Sequence, residues 1–146
     1  MANLKLSQLP AATALTGDEI IPVVQGGQTR RSTAAAVTDL RKGTWLLPTL
    51  YVPWANYGDA FANAAYRKDA TRVQLRGLVK GGVGSSVVFT LPVGFRPPAQ
   101  QIYVAVCDAQ SPARIDVRSN GDVAVAQPTT GTMGWLSLDA VVFYID

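Results

Sequence analysis

Arg72-Val73-Gln74-Leu75-Arg76-Gly77-Leu78-Val79-Lys80 alternates with a period of two. Val73, Leu75, Gly77 and Val79 fall on one side; Gln74, Arg76, Leu78 and Lys80 fall on the other. Such alternation is the signature of a strand with one face against a core and the other toward water. Further strands follow on both sides. Val87-Val88-Phe89-Thr90-Leu91 is stopped by Pro92-Val93-Gly94, and Ile102 to Cys107 forms a continuous apolar run. Ala113 to Val117 and Val123 to Ala126 flank Ser119-Asn120-Gly121-Asp122, and Asn-Gly favours a hairpin turn with positive φ at both central residues. The stretch Trp135 to Ile145 closes the chain as a strand broken around Ser137-Leu138-Asp139, while Leu50 to Tyr57 and Tyr66-Arg67-Lys68 add one or two more. Some seven strands with glycine and proline turns, and no crossover helices between them, predict an antiparallel β-sandwich.

Composition agrees. Of 146 residues 48% are hydrophobic and 16% charged, enough apolar surface for a core, and Glu19 is the sole glutamate, so helix formers are scarce. The net charge of +3 is spread out: residues 1–43 hold five bases against three acids and the remainder eight against seven. Only the dyads Arg30-Arg31 and Arg41-Lys42 concentrate charge, so nucleic-acid binding is not expected. The chain has no histidine and one cysteine, Cys107, inside an apolar run. That removes histidine-based triads, an intrachain disulfide and a cysteine zinc site, and Cys107 reads as a small buried hydrophobe. No secretion signal and no apolar run of about 18 residues is apparent, so neither export nor membrane insertion is expected.

Residues 1–43 read differently. A lead-in containing Leu6 and Leu9 precedes the turn Thr16-Gly17-Asp18-Glu19 and the strand Ile20-Ile21-Pro22-Val23-Val24. Gln25-Gly26-Gly27-Gln28 then supplies a tight turn, with Thr29 to Ser32 as the return strand. A helix is predicted from Thr33 to Lys42, with Ser32 as N-cap and Gly43 in the left-handed position after its end. Thr33, Ala36, Val37 and Leu40 line one face of it. About ten residues are marginal as an isolated helix, so this segment must pack on something. Contact among copies through Ala36, Val37 and Leu40 is one reading, and packing within one chain is the other.

Two stretches carry a resemblance. Leu6 through Thr33, with its Leu-Pro lead-in, Asp18-Glu19-Ile20-Ile21-Pro22-Val23-Val24-Gln25, glycine turn and Thr-containing return strand, resembles the N-terminal segment of many tail-fibre and tail proteins of tailed bacteriophages. Tyr66 to Asp69, Val73 to Lys80, and Val88-Phe89-Thr90-Leu91-Pro92-Val93-Gly94-Phe95-Arg96-Pro97-Pro98 are similar to the C-terminal heads of phage fibres and minor tail, receptor-binding proteins. The stretch Leu136 to Phe143 resembles the strand that closes such heads. The resemblance implies an all-β chain: a jelly-roll-like β-sandwich head at residues 44–146, preceded by a hairpin and one short helix at residues 1–43. It implies a homotrimer in the virion, made in the host bacterial cytoplasm. Leu6, Leu9, Ile20, Ile21, Val23, Val24, Arg30 and Arg31 would then dock on another virion protein, while the two arginines read equally as solvated charges guarding a hairpin edge. The head would face a host surface glycan or protein. Gly43 leads almost at once into Trp45, leaving no shaft, so a short tail appendage is expected; the alternative is a capsid decoration or cement protein with no receptor role.

No enzyme, cofactor or metal site is expected. Asp108, Asp116 and Asp122 are the nearest to a carboxylate pair and are explained by turns and strand edges. Gly81-Gly82-Val83-Gly84-Ser85-Ser86 lacks the Gly-Lys-Ser/Thr ending of a phosphate loop. Aromatics are the better lead: Trp45, Tyr51, Trp54, Tyr57, Phe61 and Tyr66 crowd the start of the head. Trp54 and Tyr57 read as framework. Trp135 follows the flexible Thr129-Thr130-Gly131-Thr132-Met133-Gly134 stretch, so Met133 and Trp135 are the candidates for receptor contact.

Overall fold

The structure, a computed structural model, describes residues 13–39, 42–108, 112–127 and 131–146. The chain divides into two compact units, Met1–Lys42 and Gly43–Asp146. In the first, strands β1 (Ile20–Gln25) and β2 (Gln28–Thr33) form an antiparallel hairpin that leads into helix α1 (Ala34–Asp39). Gly26 and Gly27 have φ of +60° and +74°, so both turn residues occupy the left-handed region that two-residue hairpin turns of this hand require. Glu19 holds the hairpin's base. Its Oε1 accepts from the Thr16 amide (2.6 Å) and hydroxyl (2.9 Å), and its Oε2 from the Gly17 amide at 2.8 Å. These donors, the Thr16 amide first, pull the Glu19 carboxyl down to about 2.

The helix differs from the expected one at both ends. Thr33, not Ser32, is the cap, its Oγ1 accepting from the Ala36 amide at 3.1 Å. Ser32 is paired opposite Ile21 in the hairpin and so remains strand. Leu40 and Arg41 lie outside the described residues. Gly43 does not take the left-handed conformation; its amide donates to the Lys68 carbonyl (3.0 Å) and Asp69 Oδ1 (3.1 Å). It is glycine because a Cβ there would sit 2.3 Å from the Lys68 oxygen.

The second unit is an all-β antiparallel sandwich. One sheet has the order β7 (Ser86–Thr90), β10 (Asp122–Gln127), β9 (Ala113–Val117), β8 (Gln101–Ala105). The opposing layer contains β12 (Val142–Tyr144), β5 (Arg72–Arg76) and β4 (Ala65–Asp69), and, farther along, β11 (Leu136–Ser137), β6 (Leu78–Lys80) and β3 (Ala55–Asn56). Every pairing among the described residues is antiparallel. The run 72–80 supplies both β5 and β6, divided at Gly77. There φ is +107°, and a Cβ would lie 2.4 Å from the Asn63 carbonyl oxygen. The Gly77 amide donates to Asp139 Oδ1 (2.9 Å) and its carbonyl accepts from Leu138 (2.9 Å). The strand therefore bends without losing parity, and Val73, Leu75 and Val79 all stay buried.

Between the layers lie Phe89, Ile115, Val117, Val123 and Val125 from one side and Val73, Val79, Leu136 and Phe143 from the other, all buried. Each such side chain contributes about 2 kcal/mol by leaving water. Cys107 and Trp54 belong to the same core, the Trp54 indole N–H donating to Ser86 Oγ at 2.9 Å. Beyond β8 the chain joins the layers: Cys107 bridges to Leu136, and the Ser137 amide donates to the Val106 carbonyl at 3.0 Å.

The β9–β10 turn corrects the sequence expectation. Gly121 alone is left-handed, at φ +97°, and its amide closes on the Arg118 carbonyl at 2.9 Å. That matches a three-residue loop ending in a glycine bulge. The cause is tertiary: the Gly121 carbonyl accepts from the Leu91 amide at 2.8 Å, and a Cβ at Gly121 would lie 2.4 Å from the Leu91 oxygen.

Gly77→Ala combines left-handed strain with a backbone clash and is expected to lower stability by about 2–4 kcal/mol in urea denaturation. Because the folded Glu19 carboxyl titrates near 2 rather than 4.5, its contribution to the hairpin is complete above the upper value and is lost as pH falls between the two. An NMR titration should place the Glu19 midpoint near 2, and Thr16→Val should raise it.

Candidate functional site

Because the bend at Gly77 preserves parity, Arg72, Gln74, Arg76, Leu78 and Lys80 all project from the outer side of the same layer, away from the core. Leu78 is the exception in chemistry, an apolar side chain on a polar face. It forms the floor of an open cavity of about 280 Å³ whose other walls are Tyr57, Phe61 and Trp135. The volume sits at the small end of the range for ligand pockets, sufficient for one ring.

Each wall is fixed by backbone. The Tyr57 amide donates to the Leu78 carbonyl at 2.9 Å, continuing the β3–β6 pairing. Gly58 (φ +89°) and Asp59 (φ +53°) then turn the chain so that Phe61 meets Tyr57 edge to face, with centroids 5.3 Å apart and planes at 90°. Lys80 donates to the Tyr57 carbonyl at 2.8 Å and rests its ammonium 5.1 Å from the Tyr57 ring. On the opposite side, the Trp135 carbonyl accepts from the Asp108 amide at 3.3 Å, one position before Leu136 pairs with Val79. Asp108 Oδ2 also accepts from the Gly134 amide at 2.6 Å, and a Cβ on Gly134 would strike that carboxylate. Asp108 thus positions the loop that delivers Trp135.

A second cluster lies one rung along the same face. Trp45 packs against two guanidinium groups, Arg67 at 4.6 Å and Arg76 at 4.2 Å from its ring. Arg67 donates twice to Gln74 Oε1, at 3.0 and 2.8 Å, and lies 3.5 Å from Asp69. Arg72 approaches the same Asp69 at 3.4 Å. The Arg76 Nε is buried and has no acceptor among the described residues.

The remaining candidates are structural. Asp116 is buried in an ion pair with Arg114 (2.8 Å) and accepts from Gln100 at 3.0 Å. Asp122 is held below the usual carboxylate range by the Thr90 hydroxyl, then by Asn120 and Arg118. Asp108, Asp116 and Asp122 thus have separate partners and form no acid–base pair. In the loop after β6, Gly82 backs onto Trp54, where a Cβ would meet the indole at 1.9 Å. Among the described residues no group of three or more histidine, cysteine or acidic side chains could hold a metal, and no helix is long and apolar enough to cross a membrane.

Of the two residues singled out for receptor contact, Trp135 lines the cavity, but Met133 does not reach the surface. It is 2% exposed, pinned by hydrogen bonds between its backbone and Gly81 and Gly82, and packs in the core. Trp54 is framework, whereas Tyr57, also read as framework, is a cavity wall. Phe61 and Leu78 were not distinguished as site residues; an apolar Leu78 on the charged side of an alternating strand was the available signal. In the N-terminal unit, Ile20 and Val24 are 67% and 77% exposed, Ile21, Arg30 and Arg31 are exposed, and Val23 is half-buried. Ala36 and Val37 are exposed on α1; Leu6, Leu9 and Leu40 lie outside the described residues.

No family model matches the chain, and no curated protein matches it. Among solved structures, the fold is similar to the crystal structure of the receptor binding protein (gp15) of Listeria phage PSA. The TM-score is 0.60 at 21% sequence identity, over 77% of this chain and 71% of that one. The likeness is one of fold: this chain is built on the β-sandwich plan found in that phage protein.

Proposed function

We propose that the chain is a short, non-enzymatic phage tail appendage that attaches the virion to its host, with the Tyr57–Phe61–Leu78–Trp135 cavity as the contact point. The observation that carries this reading is an open cavity walled by three aromatic rings on a head with the fold of a phage receptor binding protein. Flat aromatic faces held by rigid backbone bury much area at little entropic cost, the usual basis of a binding hot spot.

Residues 1–43 dock on another virion protein. Support comes from the exposed Ile20, Ile21 and Val24, which present a hairpin with apolar side chains in water. The working form is a homotrimer. Supporting it, Ile102, Val104 and Val106 are 59%, 69% and 66% exposed in a row along β8 and its extension, and β8 is a sheet edge. An apolar edge of this kind invites strand pairing or aggregation unless another chain covers it. Three heads on one axis would add weak contacts through effective concentration.

Light scattering on the full chain should give three times the chain mass, and Val104→Lys should shift it toward monomer. A monomer at every concentration would reject the trimer. Labelled full-length protein should adsorb to some members of a panel of bacterial strains. On those, Trp135→Ala should weaken adsorption about thirtyfold, the loss typical of a hot-spot aromatic, with the melting temperature unchanged. Undiminished adsorption by that variant would exclude the cavity as the contact.

A further inference from the structure

We infer that the cavity and the Trp45 cluster together form one site for an acidic glycan. The apolar face of a sugar ring rests on Trp135 and Tyr57, and a carboxylate or phosphate of the same glycan is held by the Arg76 guanidinium. The inference builds on the reading of the cavity as the receptor contact.

Four cations project from the outer side of the run 67–80 near the cavity, and three have acceptors. Arg67 is engaged by Gln74 and Asp69, Arg72 by Asp69, and Lys80 by the Tyr57 carbonyl. No acceptor for the Arg76 side chain is found among the described residues, and its Nε is in addition buried. Its guanidinium carbon lies 4.2 Å from the centroid of the Trp45 ring, a contact that uses none of its N–H donors. The Nε lies too deep for a ligand to reach, so the donors open to one are the terminal N–H groups of the guanidinium. A planar guanidinium with its donor edge unspent suits a carboxylate or a phosphate, which can accept two parallel hydrogen bonds.

Arg76 and Leu78 share a face and are two residues apart, so their backbone positions are about 7 Å apart along the strand. That is the reach from a stacked ring to a charged substituent or to the next residue of the same chain. A peptide ligand fits less well. Extended peptides bind by adding to a free sheet edge, and this cavity lies on a sheet face between paired strands. Nucleic acid would need several open cations, and this face offers one.

The test uses the full-length chain and two matched pairs of probes by calorimetry: a polygalacturonate oligosaccharide with its carboxyl-reduced neutral form, and a phosphorylated mannan oligosaccharide with its dephosphorylated form. At least one acidic member should bind about tenfold or more tightly than its neutral partner, as expected for a charge-assisted bidentate contact. The pair that shows the gap identifies carboxylate or phosphate as the anion. Arg76→Gln should abolish the gap, Arg76→Lys should retain part of it, and Arg72→Gln should leave it intact; unchanged melting temperatures would set folding aside. Trp135→Ala should weaken acidic and neutral members alike. Equal affinity within both pairs, or a gap that survives Arg76→Gln, removes the anion subsite and leaves the cavity reading standing. Binding that survives Trp135→Ala removes the cavity reading itself. Failure of all four probes to bind rejects the acidic-glycan assignment.

Discussion

The close approach of Gly77 to the Asn63 carbonyl is the constraint on which the head depends. One strand must serve two short sheets, and it can do so only by bending where a neighbouring backbone leaves no room for a side chain. Asp139 and Leu138 secure that bend from the turn between β11 and β12 by bonding the Gly77 amide and carbonyl. Had the bend cost one residue of register, Leu78 and Lys80 would have turned into the core and Val79 out of it. Instead the same alternation runs from residue 72 to 80, with core packing on one side and the aromatic and arginine clusters on the other.

Core and site are thus two outcomes of one pattern. Val73, Leu75 and Val79 pack against Ile115, Val123 and Phe89 in a dry interior. One residue away in each case, Gln74, Arg76 and Leu78 meet partners from other segments: Arg67, Trp45 and Tyr57. Those partners come from the part of the head that precedes β5, where the aromatics between residues 45 and 66 are concentrated. They are divided between framework, as with Trp54 and Tyr66, and the walls of the outer face, as with Trp45, Tyr57 and Phe61.

Much of this was legible in the residues. Periodicity located the strands of the sandwich, and Gly26-Gly27 located the N-terminal hairpin, because strand and turn preferences are local. The β9–β10 turn was placed correctly but given the wrong geometry, since the Leu91 backbone, remote in sequence, decides which conformation Gly121 adopts. The helix begins one residue late because the hairpin pairing runs on to Thr33, opposite Ile20, and the strand's last residue is the one that caps. The site was half legible. Trp135 stood out by its glycine-rich approach, but neighbouring Met133 was indistinguishable from it until the Gly81 and Gly82 backbone was seen to draw it inward. Leu78 and Phe61 are brought to Trp135 by pairings between segments far apart in the chain, which no local pattern encodes.

The outward positions of a strand can vary without disturbing the inward ones. Gln74, Arg76, Leu78 and Lys80 alternate with Val73, Leu75, Gly77 and Val79, so point substitutions at even numbers change the chemistry presented to the outside while the odd-numbered set keeps the sandwich folded. A surface arranged in this way separates selection for folding from selection for what is recognised. On the proposed reading of this face as a receptor contact, changes of binding preference would accumulate along a single rigid strand, one rung at a time, without the lengthening or remodelling of loops.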